Sequence, residues 1–419
     1  MAMETKVLTQ TAPSSRFVHA APSNRVLSVD VLRGITIAFM ILVNDPGDWS
    51  HTYRQLEHAK WNGWTLTDLV FPNFLFIVGV SIILSLASRV ARGDDRRRLA
   101  GHIVRRSVTI FAVAMVLNLI PYFRFTHLRL YGVLPRIALC YLVAGLICLA
   151  TQRGRTLLTI AAGLLVGYWV LMRFVPVPGF GMPVKDIPLL DQDRNLAAWI
   201  DRGVIGFLQS TIHTGVLYEK TRDPEGLLST IPAIATTLLG AVAGLWLRRT
   251  GAKGEKAFVP TQSQCAMGLL LAGLVGLASG LLWNIWFPIN KNLWTSSYVL
   301  FAAGCALVGL AACYWLMDIR RLNETAWGRR LVWPWLVFGS NAIVAYTTSV
   351  VLVKTLLYFK TSEIGPNGQP ISVWGWIYTH WFARGHSTEM TSLLFGLYFV
   401  AACFIPNWIL WRRRIFVKI

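Results

Sequence analysis

The chain has 419 residues, 54% hydrophobic and only 14% charged, with a formal net charge of +20. A mean hydropathy of +0.50 excludes an ordinary soluble domain and points to one polytopic membrane domain. The positive charge lies in short connections between apolar runs, not in a basic groove with interleaved aromatics, which excludes nucleic acid as a partner.

Residues 1–24 are polar, rich in Ala, Ser, Thr and Pro and without an apolar core. They read as a disordered cytoplasmic tail, not a cleavable signal peptide, and residues 25–419 as a single transmembrane domain. Crossing ~30 Å of hydrocarbon takes about 20 helical residues. On that basis ten spans are predicted, at 29–45, 67–88, 106–123, 132–151, 156–175, 227–247, 264–284, 295–317, 332–353 and 390–411. The fold class is therefore all-α, a polytopic integral membrane protein with both termini on one side. Lys and Arg concentrate in the tail, the even-numbered connections and the C-terminus, in runs such as Arg96-Arg97-Arg98, Arg329-Arg330 and Arg412-Arg413-Arg414. That side is expected to be cytoplasmic. Only the 124–131 connection, with Arg124 and Arg129, runs against the bias.

Three outer connections are long: 46–66, 176–226 and 354–389. The second contains Asn195–Gln209, apolar at roughly helical spacing, and is expected to lie flat at the interface. Of the eight histidines, His51, His58, His127, His213, His380 and His386 map to the outer side and only His19 and His102 to the inner. All six cysteines fall in apolar runs without metal spacing and read as packing residues.

The most informative stretch is Ser28–Gly79, two spans that carry costly polar residues around a polar loop with Asp45, Asp48, His51, Glu57 and His58. His58 is a candidate base, set against the plainer reading of a solvated loop histidine. Asn44 ends the first span, either as a turn residue before Asp45-Pro46-Gly47 or as an amide aimed at an oxyanion. Asp30 and Arg33, spaced i,i+3, read first as a mutual ion pair and second as a site for an anionic ligand from the cytoplasm. Asp68, three residues after Thr65, fits a capping box; Asn73 lies a turn deeper with no capping role. A metal set of Asp45, Asp48, His51 and His58 has no recognised spacing, and no metal is expected.

Further along, Asn118, Arg136 and Asn341 are polar groups at membrane depth. A structural tie from Arg136 to Asp68 or Glu225 is expected if it is not a pocket residue. Asp223 and Glu225 open the sixth span, where the helix dipole alone accounts for them. Asn290 and Lys291, in PINKNLW, could contact a phosphate or a sugar, or Lys291 could snorkel. No P-loop, GxGxxG, GxSxG or HExxH occurs.

The blocks SVDVLRG, LVN ending at Asn44, HAKWNGWTLTDLVFPNFLFIVG, GVLPRIALCY, DPEGLLSTIPAI, PINKNLWTSSYV and GSNAIVAY run in order from the first span to the ninth. Through them the chain resembles the heparan-alpha-glucosaminide N-acetyltransferase family, and its bacterial relatives in particular. The additional N-terminal luminal region and extra span of the animal members are not expected here. The resemblance implies transfer of an acetyl group from cytosolic acetyl-CoA, as cosubstrate, to the amine of a glucosamine unit on the far side of the membrane. It places the active-site histidine on His58 and its asparagine neighbour on Asn44. Asp30, Arg33, Asp68, Asn73, Arg136, Glu225, Asn290, Lys291 and Asn341 are then pocket or orienting candidates. The expected partners are an amino-sugar acceptor, the lipid bilayer and a second copy of the chain, in a bacterial inner membrane with the His58 loop facing the periplasm. The competing reading is an amino-sugar transporter, although the internal repeats and paired broken helices common in carriers are not evident.

Overall fold

The computed structural model describes residues 26–249, 259–365 and 368–417; the expected 1–24 tail lies outside them. The first half comprises α1 (Leu27–Asn44), α2 (Val70–Ala91), α3 (Arg96–Leu119), α4 (Val133–Ala150), α5 (Gly154–Phe174) and α6 (Leu196–Ile212). The second comprises α7 (Thr230–Arg249), α8 (Gln262–Trp283), α9 (Ser296–Tyr314), α10 (Ala326–Ser340) and α11 (Ala342–Tyr358). A hairpin of β1 (Lys360–Ile364) and β2 (Pro370–Ser372), then α12 (Val373–Ile377) and α13 (Glu389–Arg412), complete the chain. Among the described residues nine helices are long and apolar enough to cross a membrane, and ten if the bent α10–α11 pair counts as one span. The all-α polytopic architecture is as expected.

Lipid tails are as apolar as leucine, so the bundle is held by close backbone approach rather than by a hydrophobic drive between helices. A Cβ on Gly79 of α2 would meet the Thr237 carbonyl oxygen at 1.9 Å, and one on Gly240 of α7 the Phe76 carbonyl oxygen at 2.0 Å. Similarly, Gly34 of α1 and Gly339 of α10 leave room only for Trp335 and Asp30 backbone oxygens, at 1.8 and 2.0 Å. Phe71, Leu75, Ile83, Ile137, Leu238 and Trp294 belong to one buried core cluster shared by α2, α4, α7 and the segment leading into α9.

Two spans differ from expectation. α3 begins at Arg96, well before the predicted 106, because Asp95 caps it through the Arg98 N–H (3.3 Å). The helix continues beyond its apolar part, with Arg96, Arg97 and Arg98 exposed. The predicted 332–353 span is broken at Asn341, where α10 and α11 meet at 79°. The Asn341 amide donates to the Ile415 carbonyl (3.0 Å) and accepts from the Val417 N–H (2.8 Å), so the C-terminal segment fills the break. This is a broken helix of the kind not expected from the sequence, but its polar groups are taken up by the chain itself.

α11 runs on to Tyr358, so Lys354 is helical rather than the start of a loop. Its ammonium donates to the Leu117 and Ile120 carbonyls at 2.6 and 2.9 Å. A cation thereby satisfies orphan carbonyls at the C-terminus of α3. The helix expected within the 176–226 connection is present as α6, capped by Asn195 accepting from Ala198 N–H at 2.9 Å.

Candidate active site

α2 is preceded by a 3-10 turn, Thr67–Leu69, which sets Asp68 at the helix mouth with its side chain only 1% exposed. Oδ1 accepts from His58 Nδ1 at 2.7 Å. Oδ2 accepts from the backbone N–H groups of Ala59 and Thr65, each at 3.0 Å. The bond to Thr65 is the return half of the expected capping box, but the same carboxylate also orients His58. From the opposite side the Tyr298 hydroxyl donates to the Asp68 carbonyl at 2.5 Å, which ties α9 to the start of α2. An ionised carboxylate can only accept, so the imidazole hydrogen belongs on Nδ1 and the lone pair on Nε2. The half-exposed ring directs that Nε2 to the Lys291 ammonium, 3.5 Å away.

The loop holding Lys291 is joined to the His58 loop by backbone and amide contacts. Gly63, at φ +100° where a side chain would be strained, donates its N–H to the Ile289 carbonyl at 2.8 Å. The buried Asn290 amide donates to Asn62 Oδ1 at 3.1 Å and accepts from Leu293 N–H at 2.9 Å. Segments more than two hundred residues apart in sequence thus form one rigid rim.

Beside this rim, Arg129 binds Asp223 through two bonds (2.9 and 2.7 Å) and Glu225 at 2.7 Å. Of the two cations that ran against the charge bias, Arg129 is therefore neutralised in place. Burial raises the Glu225 carboxyl, but Arg129, Lys291 and Arg136 together outweigh it and hold the group below its ordinary range. The expected tie of Arg136 to Asp68 or Glu225 is not formed. Arg136 instead donates Nη2 to the Gly226 carbonyl (3.0 Å) and the Ser229 hydroxyl, with its guanidinium over the Trp294 ring at 5.0 Å. The acids are taken by Arg129, and Nε and Nη1 of the buried Arg136 have no partner among the described residues. Asp201 on α6 lines the adjoining cleft with Trp61, Arg222 and Asn292. Burial pushes its carboxyl up to about 7, opposed by the bond from Leu227 N–H.

The structure therefore brings together His58, Asp68, Asn290 and Lys291, with Glu225 and Arg136 on the flank. Among the described residues, no side-chain bond links the remaining candidates to this group. Asn44 is exposed at the end of α1 and makes no side-chain hydrogen bond among the described residues. Asn73 donates to Thr36 Oγ1 at 2.7 Å, a tie between α1 and α2. Asp30 and Arg33 pair at 2.9 Å, and Arg33 also donates to Ser81 Oγ (2.8 Å) and the Gly339 carbonyl (3.2 Å). These contacts, like those of Asn341, hold helices together at the other end of α1. His51 pairs with Asp48 rather than joining His58. Sequence reasoning missed the orienting roles of Asn62 and Tyr298, although they stood in the HAKWNG and PINKNLWTSSYV blocks, because neither spacing nor residue type marked their partners.

Residues 25–288 match the family described as "Heparan-alpha-glucosaminide N-acetyltransferase, catalytic". The chain is similar to the Homo sapiens protein named "Heparan-alpha-glucosaminide N-acetyltransferase", 29% identical over 431 aligned positions that cover 94% of this chain and 60% of that protein. To the Mus musculus protein of the same name it is 30% identical over 370 positions, covering 79% and 54%. The chain thus spans somewhat more than half the length of the curated relatives it matches. His58, Asp68, Arg136 and Glu225 lie inside the family match, while Asn290 and Lys291 fall just beyond it. With more than half its length matched, this chain belongs to the heparan-alpha-glucosaminide N-acetyltransferase catalytic family.

Proposed function

We propose that this protein is a transmembrane N-acetyltransferase that moves acetyl from cytosolic acetyl-CoA to the amine of glucosamine, or of a glucosamine-containing saccharide, on the opposite face of the membrane. The observation that carries the reading is the His58–Asp68 pair, with Nε2 directed at an amine position, in a chain of this family. The Lys and Arg bias supports a periplasm-facing His58 loop in a bacterial inner membrane. Residues 25–419 act as one acyltransferase domain in this reading.

His58 Nε2 takes a proton from the acceptor nitrogen as that nitrogen attacks the thioester carbonyl, and returns it to the departing coenzyme A sulfur. Asp68 holds the tautomer and stabilises the imidazolium. Asn44, with its amide uncommitted, is proposed as the oxyanion donor, a contribution of roughly 3–4 kcal/mol where geometry is good. An acetyl-histidine relay through the same nitrogen is the alternative route. Direct transfer is preferred because Nε2 already faces an alkylammonium.

The test is turnover of acetyl-labelled coenzyme A with glucosamine by the purified full-length protein. Labelled N-acetylglucosamine is expected, and undiminished turnover in His58→Ala would remove the assignment. Sugar uptake by proteoliposomes without acetylation would favour a carrier instead.

A further inference from the structure

Lys291 is not a loose surface lysine. Its backbone sits in a turn in which its carbonyl accepts from Trp294 N–H at 3.1 Å, and the preceding Asn290 is buried with backbone and side chain both bonded. The ammonium is delivered to 3.5 Å from His58 Nε2, within the field of the Asp68 and Glu225 carboxylates. Chemically, Lys291 Nζ is a primary alkylamine beside the general base, where the acceptor's own amine has to sit.

We propose that Lys291 is a self-acetylation site: in the absence of an acceptor sugar, the protein transfers acetyl from acetyl-CoA to Lys291 Nζ. This rests on the acetyltransferase reading above. The Lys291 ammonium first loses one proton to solvent. The amine nitrogen then forms a bond to the thioester carbonyl carbon while His58 Nε2 takes its second proton. As the carbon–sulfur bond breaks, that proton passes to sulfur, leaving coenzyme A thiol and a neutral acetamide. The product cannot return its acetyl group as a thioester does. It also removes the positive charge from beside His58, so each modified chain has lost the cation that its base faces. Acceptor sugar protects the site because its amine occupies the same position.

The full-length protein in detergent or nanodiscs, incubated with acetyl-labelled coenzyme A and no sugar, is expected to gain up to one acetyl group per chain, located on Lys291 by peptide mass spectrometry. Glucosamine in the same incubation suppresses the modification. In His58→Ala the rate of Lys291 acetylation is expected to fall roughly 100-fold or more, the usual share of a general base. Protein that acetylates glucosamine when sugar is supplied, yet leaves Lys291 unmodified in the incubation without sugar, would overturn the proposal and leave the enzyme reading standing. Equal labelling of Lys291 in His58→Ala would overturn it as spontaneous chemistry. Neither product forming would overturn both.

Discussion

The connection between α1 and α2 holds two histidine–aspartate pairs of nearly equal length, His58–Asp68 at 2.7 Å and His51–Asp48 at 2.8 Å. The first joins residues ten apart to a carboxylate that is 1% exposed and bonded on both oxygens. The second spans one turn, i,i+3, and its carboxylate is 27% exposed. Asp48 also accepts from the Ser387 hydroxyl at 2.6 Å, while its N–H donates to Ser392 Oγ at 3.0 Å. Next to it, Trp49 stacks on Trp374 with ring centroids 5.6 Å apart. The His51 pair therefore pins the loop to α12 and α13, whereas the His58 pair aims a lone pair at an amine. A histidine–carboxylate contact becomes a base when the carboxylate is immobilised and the second nitrogen faces the reactant position.

The largest separation between the pairs is expected in turnover. His58→Ala should lower kcat for acetyl transfer roughly 10²–10⁴-fold. His51→Ala should leave it within about threefold, as for a residue outside the reacting centre. Comparable losses in the two variants would erase the distinction. Asp68→Asn comes next, with a fall of roughly 100-fold or more, because an amide permits the wrong imidazole tautomer. Asp48→Asn in the same assay should change kcat little.

Asn290→Ala leaves the buried Leu293 N–H without its acceptor and releases the exposed Asn62 from the rim. A cost of about 1–3 kcal/mol is expected in thermal unfolding, together with reduced kcat as the two loops separate. An unchanged melting temperature would mean the rim is held elsewhere.

The smallest effect concerns acid. Burial raises Asp48, but the bonds from Ser387, Ser50 and His51 outweigh it and hold the carboxyl below its ordinary range. A depressed carboxyl contributes stability that is fully present above its unfolded pKa, near 3.9, and lost as pH falls through the lower folded value. Below about pH 4, Asp48→Asn should therefore flatten the acid limb of the stability profile by no more than about 1 kcal/mol, given its partial exposure. An unaltered limb would show that the pin is not electrostatic.

Much of the fold was legible because a ~30 Å apolar run is a strong one-dimensional signal. Every predicted span has its helical counterpart, and the helix expected within the 176–226 connection is present as α6. The failures have a common cause. Hydropathy reads burial, so it missed the Arg-rich start of α3, which is helical but solvated, and the break at Asn341, which is apolar on both sides. At the site, His58 and Asp68 stood in one block, but Asp68 read as a helix cap, and its bond to His58 emerged only from the fold of the loop. Nothing in one dimension assigned Arg136 to Gly226 and Ser229, since Arg129 wins the nearby acids by bidentate geometry.

By itself the sequence determined the class of molecule and the placement of its helices, because length and hydropathy act locally. Only the tertiary structure decided which of the polar residues work together. It brought Lys291 and Asn290 across to His58, gave Asn73 to Thr36, and closed Asp30, Arg33 and Asn341 into helix ties. The physical reason is that a buried polar group must find a partner, and which partner lies within reach is set by the packing of helices distant in sequence.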